Sequence, residues 1–220
     1  PRTIPATRKA ADGLGILVAS AAVPHLVKAA HSADRSLALV AMNALAKIKD
    51  RSAGPQLLDL LDSPDRDIKQ EAAVTLGILR VRDALPRLQA LFENDPERET
   101  REKALEGLAY LADPVSVPFF IKGLWSSREA MRTSAAEGLA RARDAKAQPE
   151  LEKAVQAESA GDARLAMQFA ITALGKTDFL SALVNDLGSS RRGDAAQAYL
   201  IELSQKPGFV SRLYPYTNSQ

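Results

Sequence analysis

An alanine, a leucine four residues later and a proline ten residues after that recur down the chain. The clearest copy is AAVTLGILRVRDALP, which places Ala72, Leu76 and Pro86 in that order. The frame returns as Ala10-Leu14-Pro24, Ala41-Leu45-Pro55, Ala104-Leu108-Pro118 and Ala135-Leu139-Pro149. A sixth copy keeps Ala170 and Leu174 without the proline. Successive alanines lie 31, 31, 32, 31 and 35 residues apart. A period this short and regular marks a solenoid, in which each repeat buries its apolar face only against its neighbours.

Each period reads as a pair of helices. The segment Arg8 to Leu17 spaces Ala10, Ala11, Leu14 and Leu17 for one helical face, and Leu37, Ala41, Met42, Leu45 and Ile48 do the same in the second copy. The recurring proline then opens a second helix, because its missing N–H has no intrahelical partner in the first turn. Ser63-Pro64 and Asp95-Pro96 predict helix N-caps at Ser63 and Asp95, and Ser127 predicts the cap of the fifth repeat. Ala157 to Asp162 reads as a longer loop, and Asp194 to Leu203 as one further amphipathic helix without a mate. The residue before each frame leucine is small: Gly13, Ala44, Thr75, Gly107, Gly138 and Ala173. This predicts that the second helix approaches the first closely there. The repeats run over about 1–31, 32–62, 63–94, 95–126, 127–159 and 160–189, with a cap and tail over 190–220.

Composition limits the chemistry. Aromatics make up only 5% of the chain, which suits helices packed through Leu, Val and Ala better than sheets. There is no cysteine, so a disulfide, a thiolate metal site and a Cys nucleophile are excluded. A net charge of +2 is too small to imply nucleic acid or an anionic membrane. No apolar run reaches the roughly 18 residues of a membrane span. The chain starts at Pro1, so a trimmed product is expected. The cytoplasm is the expected compartment, with the periplasm or secretion left open.

Several residues join the frame to a known family. The third repeat gives Ile68-Lys69, Ala72-Ala73, Leu76-Gly77 and Pro86-x-Leu88; the fifth gives Met131-Arg132, Ala135-Ala136, Leu139, Asp144 and Pro149-x-Leu151. Over residues 8–187 the chain resembles HEAT repeats of the short bacterial, phycobilisome-lyase-like type. Departures are Val81 in place of a turn Asp, Leu37-Ala38 where Arg is usual, and the missing sixth proline. The resemblance implies an all-α, right-handed HEAT-like superhelical solenoid of six helix pairs plus a C-terminal capping helix, with second helices on the concave wall. It also implies that Arg132 pairs with turn carboxylates or carbonyls between repeats. Some relatives act as bilin lyases or isomerases, and other HEAT-like proteins bind DNA.

Catalytic and metal-ligating motifs are absent from the sequence. His25 and His31 are six apart, off one helical face, and no HExxH occurs. Gly13-Leu-Gly15 falls in a helix pattern without a preceding strand, so it is no dinucleotide loop. Arg128, Arg132, Arg141, Arg143 and Lys146 are interleaved with Glu129, Glu137 and Asp144, which favours a mixed-charge surface over a phosphate site.

One patch breaks the pattern of the second helices. The position after the proline holds His25, Gln56, Arg87, Phe119 and Glu150, and seven after it come His31, Asp62, Glu93, Trp125 and Gln156. Phe119 and Trp125, with Lys122 between them, have the residue types that dominate interface energies. The competing reading is that both aromatics simply pack on a neighbouring repeat. The expectation is a monomeric, non-enzymatic scaffold that binds a protein or peptide and uses no cofactor or metal. Phe119, Lys122 and Trp125 would anchor the partner, with Gln56, Asp59, Arg87, Glu150 and Lys153 around them. Three alternatives stand beside it: a nucleic-acid-binding HEAT-like protein, a bilin lyase or isomerase-type subunit, and a regulatory module of a larger protein.

Overall fold

A computed structural model describes residues 20–217; the predicted helix at Arg8 to Leu17 and Gly13-Leu-Gly15 lie outside the described residues. The described chain is helical throughout and divides into two compact parts, Pro1–Phe119 and Phe120–Gln220. The fold class is all-α, of the HEAT solenoid type. The first part holds α1 (Val23–Ala30), α2 (Arg35–Ile48), a 3₁₀ helix Arg51–Asp62, α3 (Arg66–Ile78), α4 (Leu85–Asn94) and α5 (Arg98–Leu111). Next comes α6 (Val117–Leu124). The second part continues with α7 (Glu129–Ala142), α8 (Gln148–Ala157), α9 (Gly161–Ala173), α10 (Leu180–Asn185), α11 (Gly193–Ser204) and α12 (Tyr214–Thr217). First helices lie side by side, α2 on α3, α3 on α5 and α7 on α9. The frame residues form their core: Ala72, Leu76, Ala104, Leu108, Ala135 and Leu139 are all fully buried.

The proline opens the second helix as its chemistry predicts. Pro24, Pro86, Pro118 and Pro149 are each the second residue of α1, α4, α6 and α8, after a single 3₁₀ turn. The exception is the second repeat, where Pro55 lies inside a 3₁₀ helix that never becomes α. Gly54 precedes it, and these are the two weakest helix formers in sequence. Gly54 is also needed there, because an added Cβ would stand 2.1 Å from Val81 Cγ2. That contact also accounts for Val81. Elsewhere Asp50, Asp113 and Asp144 cap the 3₁₀ turns with their carboxylates, whereas Val81 gives up the cap and packs on the preceding repeat.

Three predicted caps are displaced. The residue that caps α3 is Asp65, whose carboxylate accepts from the N–H groups of Asp67 and Ile68. Ser63 instead accepts from Asp65 N at 3.2 Å. Asp95 likewise accepts from Glu97 N at 3.0 Å, and Glu97 is the N-cap of α5. At α7 the N-cap is Arg128, held by Ser126 rather than Ser127. These helices begin two residues later than the Ser-Pro and Asp-Pro pairs suggest, and Ser63 and Asp95 each accept the amide of the residue two further on instead of capping.

The loop expected over 157–162 is also shorter. Helix α8 runs through Ala157 and α9 starts at Gly161. Glu158 makes the tight connection possible, since its carboxylate accepts from the N–H of Ser159 at 3.0 Å and of Ala160 at 2.8 Å.

The small residues answer to more than the second helix. A Cβ on Gly107 would stand 2.3 Å from the Ala73 carbonyl oxygen, and one on Gly77 would stand 2.2 Å from the Gly107 carbonyl oxygen. Neighbouring first helices α3 and α5 therefore meet backbone to backbone. At Gly138 the obstacle does belong to a second helix, the buried Phe120 ring.

Helix α11 packs on α10, on the 3₁₀ turn Asp186–Gly188 and on α9. A 3₁₀ turn Val210–Leu213 hands over to α12, in which Pro215 is again the second residue. Helix α11 is pinned by Tyr199, which stacks on Phe169 with centroids 4.4 Å apart and donates to Glu137 Oε1 at 2.6 Å.

Candidate functional site

The polar residues singled out in the sequence are mostly joined to the next repeat or to their own helix. Arg87 donates from Nη1 to the Leu58 carbonyl at 2.8 Å and pairs with Asp62 at 3.3 Å. Asp59 faces His31 Nε2 at 3.2 Å, while His31 Nδ1 lies 2.9 Å from the Val27 carbonyl. Gln56 donates to the Ser52 carbonyl at 3.4 Å. Glu150 and Lys153 pair at 2.7 Å along α8. Lys122 is exposed. Second-helix charges therefore knit successive repeats together, with His31 to Asp59 and Arg87 to Asp62 as successive rungs.

The two aromatics have different surroundings. Phe119 is half-buried and meets Phe92 of α4 edge-on, with ring centroids 6.0 Å apart at 79°. Trp125 stands just past the end of α6 and is 53% exposed. Beside it opens a cavity of about 210 Å³. Leu124, Ala154, Ala157 and Met167 supply its apolar lining, and Arg132 and Glu158 its polar lining.

Helix α7 places Arg132 three residues before frame residue Ala135, where the third repeat has Lys69. The guanidinium donates from Nε to Glu158 Oε2 at 2.5 Å, from Nη2 to Oε1 at 2.9 Å and from Nη1 to the Ser126 carbonyl at 2.8 Å. These bonds hold the Glu158 carboxyl below the usual carboxylate range and Arg132 above its own ordinary value. The two charges neutralise each other. Three of the five guanidinium N–H groups are used, and the other two have no acceptor among the described residues.

Sequence reasoning gave Arg132 a purely structural role and passed over Glu158, Ala154, Ala157 and Met167. The signal was available: Lys69 reaches Asp95, and Arg132 reaches Glu158, each 26 residues on. The corresponding region of the first part is a larger, charged hollow of about 450 Å³. Its ions already pair, Lys69 with Asp95 and Arg35 with Asp65 and Asp67. Arg35 there takes over the reach to the next repeat that Ala38 cannot make. Among the described residues no group of three His, Asp or Glu side chains is placed to hold a metal ion. None of the described helices is long and apolar enough to cross a membrane.

Helix pairs at a period of about 31 residues, with proline-started second helices and basic–acidic links between repeats, define an α-helical repeat protein. The HEAT repeats family matches residues 23–109 and 85–172, and the chain belongs to that family. Among solved structures it is similar to the complex of CpcE and CpcF of phycocyanin lyase from Nostoc sp. PCC7120. That likeness has a TM-score of 0.71 at 23% identity and covers 96% of this chain and 88% of that chain. At this identity it speaks for the fold. No curated protein sequence matches the chain.

Proposed function

We propose that this chain is a protein-binding subunit of the phycocyanin-lyase kind, whose own side chains recognise a protein partner and carry no covalent step. The observation that supports this most is the extent of the structural likeness. It runs nearly end to end in both chains. The related structure is itself a complex of two proteins.

The non-catalytic part of the reading draws on the residues. The chain has no cysteine, and His31 has both ring nitrogens engaged, leaving neither to activate a nucleophile. The exposed indole of Trp125 beside an open cavity is the arrangement expected of an interface anchor.

The test is size-exclusion chromatography of the purified chain mixed in turn with CpcE, CpcF and phycocyanin, followed by bilin addition. The reading predicts co-elution with at least one of the three and an unchanged bilin spectrum with the chain alone. Separate elution from all three would contradict partner binding. Covalent bilin attachment by the chain alone would contradict the non-catalytic assignment.

A further inference from the structure

We infer that Arg101 is an open carboxylate-binding position, filled by an Asp or Glu side chain of a protein partner. The inference rests on the protein-binding reading above and adds the chemistry of one contact.

The first helices supply the template. Lys69, Arg101 and Arg132 each stand three residues before a frame alanine, Ala72, Ala104 and Ala135. Two of the three have a carboxylate 26 residues further on. Lys69 Nζ meets Asp95 Oδ2 at 3.2 Å, and Arg132 meets both oxygens of Glu158 through Nε and Nη2. The residue 26 beyond Arg101 is Ser127, which has no carboxylate to offer.

Arg101 nevertheless uses its guanidinium as Arg132 does. Arg132 gives Nη1 to the carbonyl six residues before it, that of Ser126. Arg101 gives Nη1 to the carbonyl six residues before it, that of Asp95, at 2.5 Å, and to that of Pro96 at 3.2 Å. Its Nε–H and both Nη2 N–H groups have no acceptor among the described residues. The Asp95 carboxylate is already committed, Oδ2 to Lys69 and Oδ1 to the amide of Glu97.

The empty edge of Arg101 is the Nε and Nη2 edge, the one that in Arg132 takes a carboxylate by two parallel bonds. A guanidinium stays charged at any ordinary pH, so that edge keeps its attraction for an anion. Arg164 repeats the pattern, donating to the Glu158 carbonyl six residues before it, with Ser190 26 residues further on. It is exposed, however, and water leaves an exposed ion pair little net gain. Arg101 is half-buried, which makes it the position where a partner's carboxylate counts.

The experiment follows the guanidinium Nε–H resonances of the ¹⁵N-labelled full chain during titration with sodium acetate, with sodium chloride holding the ionic strength constant. The Arg101 resonance is identified by its loss in Arg101→Lys. It is predicted to move saturably, with an affinity for acetate about tenfold above that of exposed Arg191, while Arg132 stays in place. An Arg101 resonance that moves no more than that of Arg191, or an Arg132 resonance that moves as far, would overturn the inference. Calorimetry with whichever of CpcE, CpcF or phycocyanin co-elutes then tests the source of the carboxylate. Arg101→Gln, checked to be folded by circular dichroism, is predicted to bind about tenfold more weakly than wild type, with Arg101→Lys between the two. Equal affinity of wild type and Arg101→Gln would overturn the inference and leave the protein-binding reading standing. Acetate at Arg101 without co-elution of any of the three proteins would do the reverse, removing that reading and keeping the carboxylate position.

Discussion

His31 is bracketed by two acceptors, the Val27 carbonyl and the Asp59 carboxylate. Neutral imidazole can donate to only one of them, so the pair favours the doubly protonated ring. The Val27 hydrogen bond, working against partial burial, raises its pKa above the ordinary 6.5, and Asp59 adds to the rise. The sign follows from linkage: the stabilisation is full below the unfolded value and is lost as pH climbs through the higher folded value. The thermal midpoint of the wild type is predicted to fall relative to that of His31→Gln as pH rises from 6.5; parallel curves for the two proteins would rule this out. At this scale a residue's phase in the repeat was legible in the sequence and its contacts were not. Its phase placed His31 and Asp59 on second elements of successive repeats, but the contact between them depends on how tightly those elements stack. Phe119 illustrates the same limit, because its phase marked it as unusual and only the fold revealed Phe92 beside it.

Helices show where local signals succeed and where neighbours overrule them. The second-position proline was legible because its chemistry is local. The caps were misplaced by two residues at Ser63 and Asp95, because at the first site the Asp65 carboxylate takes the two amide N–H groups and Ser63 and Asp95 each accept the amide of the residue two further on. The 3₁₀ course of Arg51–Asp62 was not legible, since it combines Gly54-Pro55 with a Val81 contact from the following repeat. Helix approach gives the sharpest test at this scale. Gly107 has carbonyl Ala73 O in the way of any side chain, and Gly77 meets Gly107 in turn, so α3 and α5 cannot part at one point without disturbing the other. Gly107→Ala is predicted to destabilise the protein by about 1–3 kcal/mol despite alanine's better helix propensity, read as a lower denaturation midpoint. A raised midpoint would mean that propensity outweighs packing there.

For the whole molecule, periodicity carried the fold and left the function thin. A solenoid writes the same requirement into every repeat, so an alanine, a leucine and a proline at fixed spacing suffice to recognise it. A binding site is written once, against that background. Trp125 was visible as the one aromatic at its phase, while Glu158 was hidden in a segment read as loop and Ala157 carries no signal of its own. Helix α11 was legible as an amphipathic stretch and the short α12 was not, because the longer turn after Ser204 shifts Pro215 out of the frame.

The central proposal is that this HEAT chain recognises a protein through the exposed Trp125. The most direct measurement is calorimetric affinity of wild type and Trp125→Ala for whichever of CpcE, CpcF or phycocyanin co-elutes with the chain. A buried interface anchor is worth at least about 2 kcal/mol, so the variant is predicted to bind roughly thirtyfold more weakly. Equal affinity for the two proteins would contradict the claim and place recognition elsewhere on the repeats.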